Sequence, residues 1–240
     1  MSIQPASLFD LDFFAPLPIH IETSDAPLTS DAGLLLLRQF DQRIGLTQQF
    51  AQALDDPRDA DLIEHSFADM VRMRVFGILA GYEDQNDHDT LRTDPVFKLI
   101  ADRSPRDPDL ASQPTLSRFE NQISIRSLFR LRALFVDQFI ASFAQPPRTL
   151  TFDLDAVDDP THGTQQLSLF HGFYEQYQYL PLIWTSADTD QVVMLSLRHG
   201  TATAWLGADD DLEYLVNRLR VAWPAVRILV RGDAALSASR

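Results

Sequence analysis

Two aspartates, Asp153 and Asp155, lie in a stretch (residues 149–159) where apolar and polar side chains alternate before a run of acids. The alternation has the period of two that is expected of a β-strand with two different faces. Both carboxylates therefore lie on one face, roughly 7 Å apart along the strand. Because neighbouring carboxylates repel each other, the pair indicates a bound cation, a shared proton, or an edge strand that ends in a solvated acidic turn.

A further acid, Asp233, ends a second strand-like run over residues 226–233. A predicted helix over residues 209–223 precedes it, and three other strand-like runs separate it from the first strand: residues 166–174, 179–185 and 192–197. A crossover helix makes the last strand parallel to the sheet. If that strand lies beside the first one, Asp155 and Asp233 meet at one sheet edge, as the carboxylates of two-metal sites do.

Helical spacing dominates the chain before this region. Apolar residues predict a helix over 32–54, a longer helix over 59–81, a short capped helix over 112–121 and an amphipathic helix from Ile125 to Phe139. The last two are adjacent, which fits either a helix-turn-helix or ordinary helical packing. With an extended arm over residues 1–30, the order of elements predicts an α+β fold.

Composition limits the classes of function that fit. The chain has 240 residues, a net charge of −14 and no cysteine, so disulfides and zinc-thiolate sites are excluded. The negative charge opposes nucleic-acid binding unless a local patch is positive. The best local candidates for phosphate contacts are Arg118, Arg126, Arg130 and Arg132, although a solvated helix face explains them as well. With no secretory signal and no apolar run that spans a membrane, we expect a cytoplasmic protein.

Five motifs resemble a known family. They are Leu28-Thr29-Ser30-Asp31-Ala32-Gly33-Leu34, Gly81-Tyr82-Glu83-Asp84-Gln85-Asn86-Asp87-His88-Asp89, Gln113-Pro114-Thr115-Leu116-Ser117-Arg118-Phe119-Glu120-Asn121, Asp153-Leu154-Asp155 followed by His162-Gly163, and Val230-Arg231-Gly232-Asp233. Together they resemble the DDE transposases of bacterial insertion sequences, most closely the IS1380-type branch of the IS4-like group.

The resemblance implies a ribonuclease-H-like mixed sheet with a crossover helix, preceded by a helical region that contacts DNA. The corresponding segments are an arm over residues 1–30, the helical region over 31–147 and the catalytic domain over 148–240. It also implies a Mg²⁺ site with two metal ions, in which Mn²⁺ is a substitute. The catalytic ligands map to Asp155 and Asp233, with Asp153 as a further candidate ligand. DNA at the terminal inverted repeats and a second copy of the chain are the implied partners.

The chain departs from the family pattern near its end. The family's third acid, a glutamate, lies well downstream of the second aspartate, and no residue of this chain matches it. An in-line displacement at two metal ions needs that third ligand. From the sequence we therefore expect a truncated transposase that is inactive or incomplete.

Two other functions fit parts of the sequence. The stretch Phe152-Asp153-Leu154-Asp155 also resembles the strand-end motif of haloacid-dehalogenase-like phosphatases, with Asp153 as nucleophile and Asp155 as general acid. Against this reading, strand-like runs rather than helices follow the motif, and no lysine lies after it to balance a phosphorylated aspartate, although Arg231 could serve. A remnant that binds DNA or a partner without catalysis is the third hypothesis.

Overall fold

The structure, a computed structural model, describes residues 7–11, 19–22, 26–163 and 165–232, the first two ranges by their backbone alone. The chain divides into two compact units. We call them the helical unit (Met1–Phe40 with Glu64–Phe119) and the sheet unit (Asp41–Ile63 with Glu120–Arg240). The sequence predicted three functional segments, over residues 1–30, 31–147 and 148–240. The division into two compact units does not test these segments, which stay a prediction.

The helical unit opens with two antiparallel strands, β1 (Ser7–Leu11) and β2 (Ile19–Glu22), in the region that the sequence predicted as an extended arm. Its helices are the first part of α1 (Leu34–Ile44), α3 (Phe67–Leu79), α4 (His88–Leu91), α5 (Pro95–Ile100) and most of α6 (Gln113–Asn121). Met70, Phe76 and Phe97 are fully buried and form the centre of its apolar core. The helix predicted over 112–121 is confirmed as α6.

The single helix predicted over residues 32–54 is wrong. The structure has α1 and then α2 (Leu46–Ala53), separated by Gly45, whose φ of 67° is left-handed and favours glycine. The carboxylate of Asp41 accepts hydrogen bonds from the backbone N–H of Thr47 at 2.9 Å and from its hydroxyl at 2.6 Å. These bonds compete with the helical ladder, so α1 ends and α2 begins there.

The helix predicted over residues 59–81 is wrong in its first third. A 3₁₀ turn covers Ala60–Leu62, and α3 begins only after Ser66, which forms a capping box with Asp69. Leu62, an apolar residue within the predicted helix, is 82% exposed. The cap and not the apolar spacing decides where α3 starts.

The sheet unit contains a four-stranded sheet of β3 (Thr149–Ala156), β7 (Leu182–Ser186), β8 (Val192–Ser196) and β9 (Arg227–Gly232). The strand order is β8-β7-β3-β9. The pairs β8–β7 and β7–β3 are antiparallel, and β9 is parallel to β3 after a crossover through α8 (Ala208–Ala222). The prediction of a parallel last strand is confirmed, and this strand does lie beside the first one, which the sequence-based prediction gave as a condition.

A small antiparallel sheet is inserted between β3 and β7. It consists of β4 (Asp159–Pro160), β6 (Gln176–Tyr179) and β5 (Leu169–His171), in that spatial order. The strand predicted over residues 179–185 is therefore wrong, because Tyr179 ends β6 and Leu182 begins β7. Pro181 lies between them and has no N–H to continue a ladder.

One face of the four-stranded sheet is covered by α7 (Ile125–Ala141) and α8. Phe139 of α7 contacts Phe152 of β3 and Trp223 edge-to-face, with ring centroids 5.7 and 6.3 Å apart. Along β3, buried residues alternate with more exposed ones, so the acids lie on the face away from this core. No helix among the described residues is long and apolar enough to cross a membrane.

Candidate functional site

Asp155 lies near the end of β3, on the face of the sheet away from the core. Leu150, Phe152 and Leu154 are buried, and alternation turns Asp155 outward, where it is exposed. Within the described part of the chain, its carboxylate takes part in no recorded hydrogen bond or ion pair. No described residue therefore engages either of its carboxylate oxygens.

Asp153 lies on the same face, but its carboxylate is engaged by an arginine. Its two carboxylate oxygens accept hydrogen bonds from Nε and Nη2 of Arg231, each at 2.7 Å. The two residues are direct neighbours in the parallel pairing of β3 with β9. These bonds hold the pKa of Asp153 below its ordinary value and raise that of Arg231.

The register of β9 brings its end to the end of β3. The last described pair of this ladder joins Leu154 to Gly232. In the chain, the residues that follow this pair are Asp155 and Asp233. Asp233 itself lies outside the described residues, so its predicted role as the second ligand stays a prediction.

The donor chemistry of this edge fits Mg²⁺, which prefers carboxylate oxygens. Asp155 supplies one exposed carboxylate without a described partner, whereas Asp153 is engaged by Arg231. Among the described residues there is no group of three or more histidine, aspartate or glutamate side chains that could hold a metal ion. The described residues therefore offer one candidate ligand, Asp155, and a complete site needs others.

Asp155 also lines a depression of about 430 Å³. The other walls come from the small sheet and from the loop over residues 201–204, and they include His171, Phe173 and Tyr174. Phe173 is 83% exposed. The sequence reasoning missed these aromatic residues, because strand alternation does not show which aromatic side chains face away from a core.

Gly200 allows the small sheet to approach this loop closely. Its N–H donates to the carbonyl of Leu167 at 3.2 Å. A Cβ at this position would overlap the carbonyl oxygens of Leu169 and Gln178. Glycine is therefore the residue that lets three backbone segments meet beside the depression.

Two of the predicted DNA-binding arginines are already paired with carboxylates. Arg130 lies 2.7 Å from Asp55 and lowers its pKa through their hydrogen bond. Arg132 lies 2.8 Å from the carboxylate of Asp211, whose side chain is 6% exposed, and 4.3 Å above the ring of Tyr214. The spacing of arginines along α7 did not show that their partners come from other elements.

The other two predicted arginines are more available. Arg118 is exposed on α6, and its Nη2 donates to the hydroxyl of Thr115 at 3.1 Å. Arg126 is exposed in the first turn of α7. Within the described residues, no recorded ion pair includes either side chain, so their proposed contact with phosphates stays open to a test.

Comparison with known families places the chain in a wider context. A family model described as "Transposase DDE domain group 1" matches residues 15–240. No curated protein and no solved structure matches the chain. The match covers the whole sheet unit and most of the helical unit, and its range includes Asp153, Asp155 and Asp233.

Proposed function

We propose a reaction for this site from the premise that the chain belongs to the transposase DDE domain group 1 family. Its general function is that of a transposase, a protein that binds and rearranges DNA. The reaction that we propose is metal-dependent phosphoryl transfer. It cleaves a DNA strand at the end of an insertion sequence and joins that end to target DNA.

The observation that carries this proposal is the parallel pairing of β9 with β3. Its last described pair, Leu154 with Gly232, stands immediately before Asp155 and Asp233 in the chain. Carboxylates that follow adjacent parallel strands lie at the same sheet edge. We therefore propose that Asp155 and Asp233 bind the metal ions.

The architecture supports a ribonuclease-H-like core. Three antiparallel strands, a crossover helix and a fourth strand parallel to the first form the order β8-β7-β3-β9. This arrangement supports the proposal that the sheet unit has the fold that the resemblance implies. The IS1380-type assignment is the finer part of the same proposal, and it rests on the motifs quoted from the sequence.

In this proposal the carboxylate side chains bind and position the metal ions and do not transfer protons. A pair of Mg²⁺ ions, when bound, activates the attacking water or DNA 3′-hydroxyl and stabilises the leaving oxygen. Asp155 offers its exposed carboxylate to that pair from the rigid end of β3.

The proposed partners are DNA at terminal inverted repeats and a second copy of the chain. Arg118 and Arg126 are the proposed phosphate contacts that need no rearrangement. Arg130 and Arg132 reach phosphate only if they leave Asp55 and Asp211. Their removal is therefore expected to affect folding as well as DNA binding.

The phosphatase alternative uses Asp153 as its nucleophile, with Arg231 as the cation that could balance its charge. Arg231 engages both oxygens of this carboxylate, so the ion pair does not separate the two functions. The two strands and the small sheet that follow β3, however, differ from the helices that this class of phosphatase has after its motif. We therefore favour the transposase reaction at this site.

Binding of Mn²⁺, measured by electron paramagnetic resonance of the free ion, tests the proposal. We expect Asp155→Asn and Asp233→Asn each to weaken Mn²⁺ binding by about tenfold or more, because each removes a charged ligand. Asp159→Asn, at an exposed acid of β4 outside the site, is the matched control and leaves the affinity unchanged. Equal affinities in Asp155→Asn and the wild type would contradict the proposed site.

A further inference from the structure

We propose that Asp153 and Arg231 are positioning residues. Their ion pair aligns the end of β9 with the end of β3 and thereby sets the spacing between the two proposed metal ligands. This inference rests on the proposed function, because it concerns the site formed by Asp155 and Asp233. It assigns Asp153 a role different from that of a ligand.

The geometry of the pair is suited to alignment. The planar guanidinium of Arg231 meets the carboxylate of Asp153 through two parallel hydrogen bonds of 2.7 Å each. Such a fork-to-fork contact fixes orientation as well as distance, which a single hydrogen bond does not. The contact joins residues 78 apart in sequence and opposite each other in the ladder.

The strand that needs alignment is weakly held by packing. Among the described strands, β9 lies at the edge of the sheet and pairs with β3 alone. Leu229 and Val230 are 42% and 41% exposed, so burial restrains them little. The pair of Asp153 with Arg231 lies one residue before the last described pair of the ladder, Leu154 with Gly232. It therefore acts where the strand ends and the proposed ligands begin.

The same geometry argues against Asp153 as a ligand. A metal ion that bound Asp153 would have to displace Arg231 or lie beside its positive charge. Asp155 is two residues further along the same face and has an exposed carboxylate. The two acids thus have different roles in this proposal: Asp155 binds metal, and Asp153 aligns β9 with β3.

The decisive variant is Arg231→Lys, which keeps the positive charge but cannot form the bidentate ion pair with Asp153. We expect it to weaken Mn²⁺ binding by about tenfold, as the loss of a supporting residue around a metal site does. Asp153→Ala is expected to weaken binding to a similar extent. The double variant is expected to be no weaker than either single one, because both changes remove the same contact.

A second measurement does not depend on metal. In metal-free protein, amide hydrogen exchange over residues 228–231 is expected to be faster in Arg231→Lys and Asp153→Ala than in the wild type. Arg227→Lys, the same substitution at an exposed residue on the same strand, is the matched control and changes neither exchange nor affinity. Exposed ion pairs add little to global stability, so the variants are expected to remain folded.

The outcomes separate the two proposals. If Arg231→Lys tightens Mn²⁺ binding, Asp153 is a ligand that Arg231 restrains, and the positioning role is wrong while the metal site stands. If Asp153→Ala and Arg231→Lys change neither exchange nor affinity while Asp155→Asn lowers affinity, the positioning role is again wrong. If the wild type binds no Mn²⁺ through Asp155, the proposed function and the positioning role are both wrong.

Discussion

His88 is a fully buried histidine inside the polar motif over residues 81–89. Its ring lies edge-to-face with Phe97, with centroids 6.3 Å apart, and its Nε2 is 3.2 Å from Nη1 of Arg74. A Cβ at Gly77 would lie 3.0 Å from the ring, so a glycine is needed beside it. Burial, with a smaller contribution from Arg74, lowers the pKa of His88 to about 4.

This burial predicts a pH-dependent stability. Between the unfolded pKa of about 6.5 and the folded pKa of about 4, the unfolded state binds more protons, so the free energy of unfolding falls as the solution is acidified. The contribution of His88 is complete above that window and decreases by about 3 kcal/mol across it.

His88→Gln keeps an acceptor for Arg74 and cannot titrate in this range. We expect the variant to be less stable than the wild type at pH 7 and this difference to shrink towards pH 4, as measured by urea unfolding. Acid effects common to both proteins cancel in the difference. A difference that stays constant across the window would show that His88 is protonated equally in both states.

The site could be predicted from the sequence in part. Strand alternation placed Asp153 and Asp155 on one face away from the core, and the structure has them there. Alternation does not distinguish the two acids, because it contains no information about the neighbouring strand. Their difference comes from Arg231, which lies 78 residues away from Asp153 and reaches it only through the register of β9.

At the scale of elements, Asp211 joins three parts of the sheet unit. It lies in the first turn of α8, accepts a hydrogen bond from the hydroxyl of Ser196 on β8 at 2.8 Å, and pairs with Arg132 of α7. Its carboxylate is nearly buried and also lies at the positive end of the helix. The contact therefore combines a buried ion pair with a favourable helix position.

Asp211→Ala is expected to lower the free energy of unfolding by about 3 kcal/mol, because it leaves Arg132 without its carboxylate in a largely buried place. Asp210→Ala, at an exposed residue in the same helical turn, removes the same charge from the helix end and is expected to cost less than about 1 kcal/mol. Urea unfolding of both variants measures the difference. Equal losses would mean that only the helix dipole matters.

The elements of the fold were predicted well where apolar spacing decides them. The order of strands, crossover helix and parallel strand followed from periodicity and from the handedness of chain connections. The two errors in the helices fell where a polar side chain decides a boundary. Asp41 ends α1, and Ser66 starts α3, through hydrogen bonds that a hydrophobic pattern does not contain.

At the scale of the whole molecule, the net charge of −14 is expected to matter more than any one ion pair. Excess charge of one sign destabilises a compact state through self-repulsion, which salt screens. We therefore expect the melting temperature to rise by a few degrees when the ionic strength increases from about 0.01 M to about 0.1 M, over which the Debye length falls from ~30 to ~10 Å.

Differential scanning calorimetry in NaCl and in choline chloride checks this expectation. Screening depends on ionic strength and not on the cation, so the two salts are expected to give the same curve. A melting temperature that falls with salt would mean that the ion pairs of the fold, such as Arg38 with Asp102, outweigh the repulsion.

The pairing of β3 with β9 also sets the timing of folding during synthesis. The residues that meet in this ladder are 78 apart in sequence. At 5–20 residues per second, a ribosome needs roughly 4 to 16 s to add the partner after β3 has been made. Throughout that interval one edge of β3, with its buried apolar residues, has no strand beside it. A chaperone, or the same edge on a neighbouring nascent chain, has that long to bind there before β9 does.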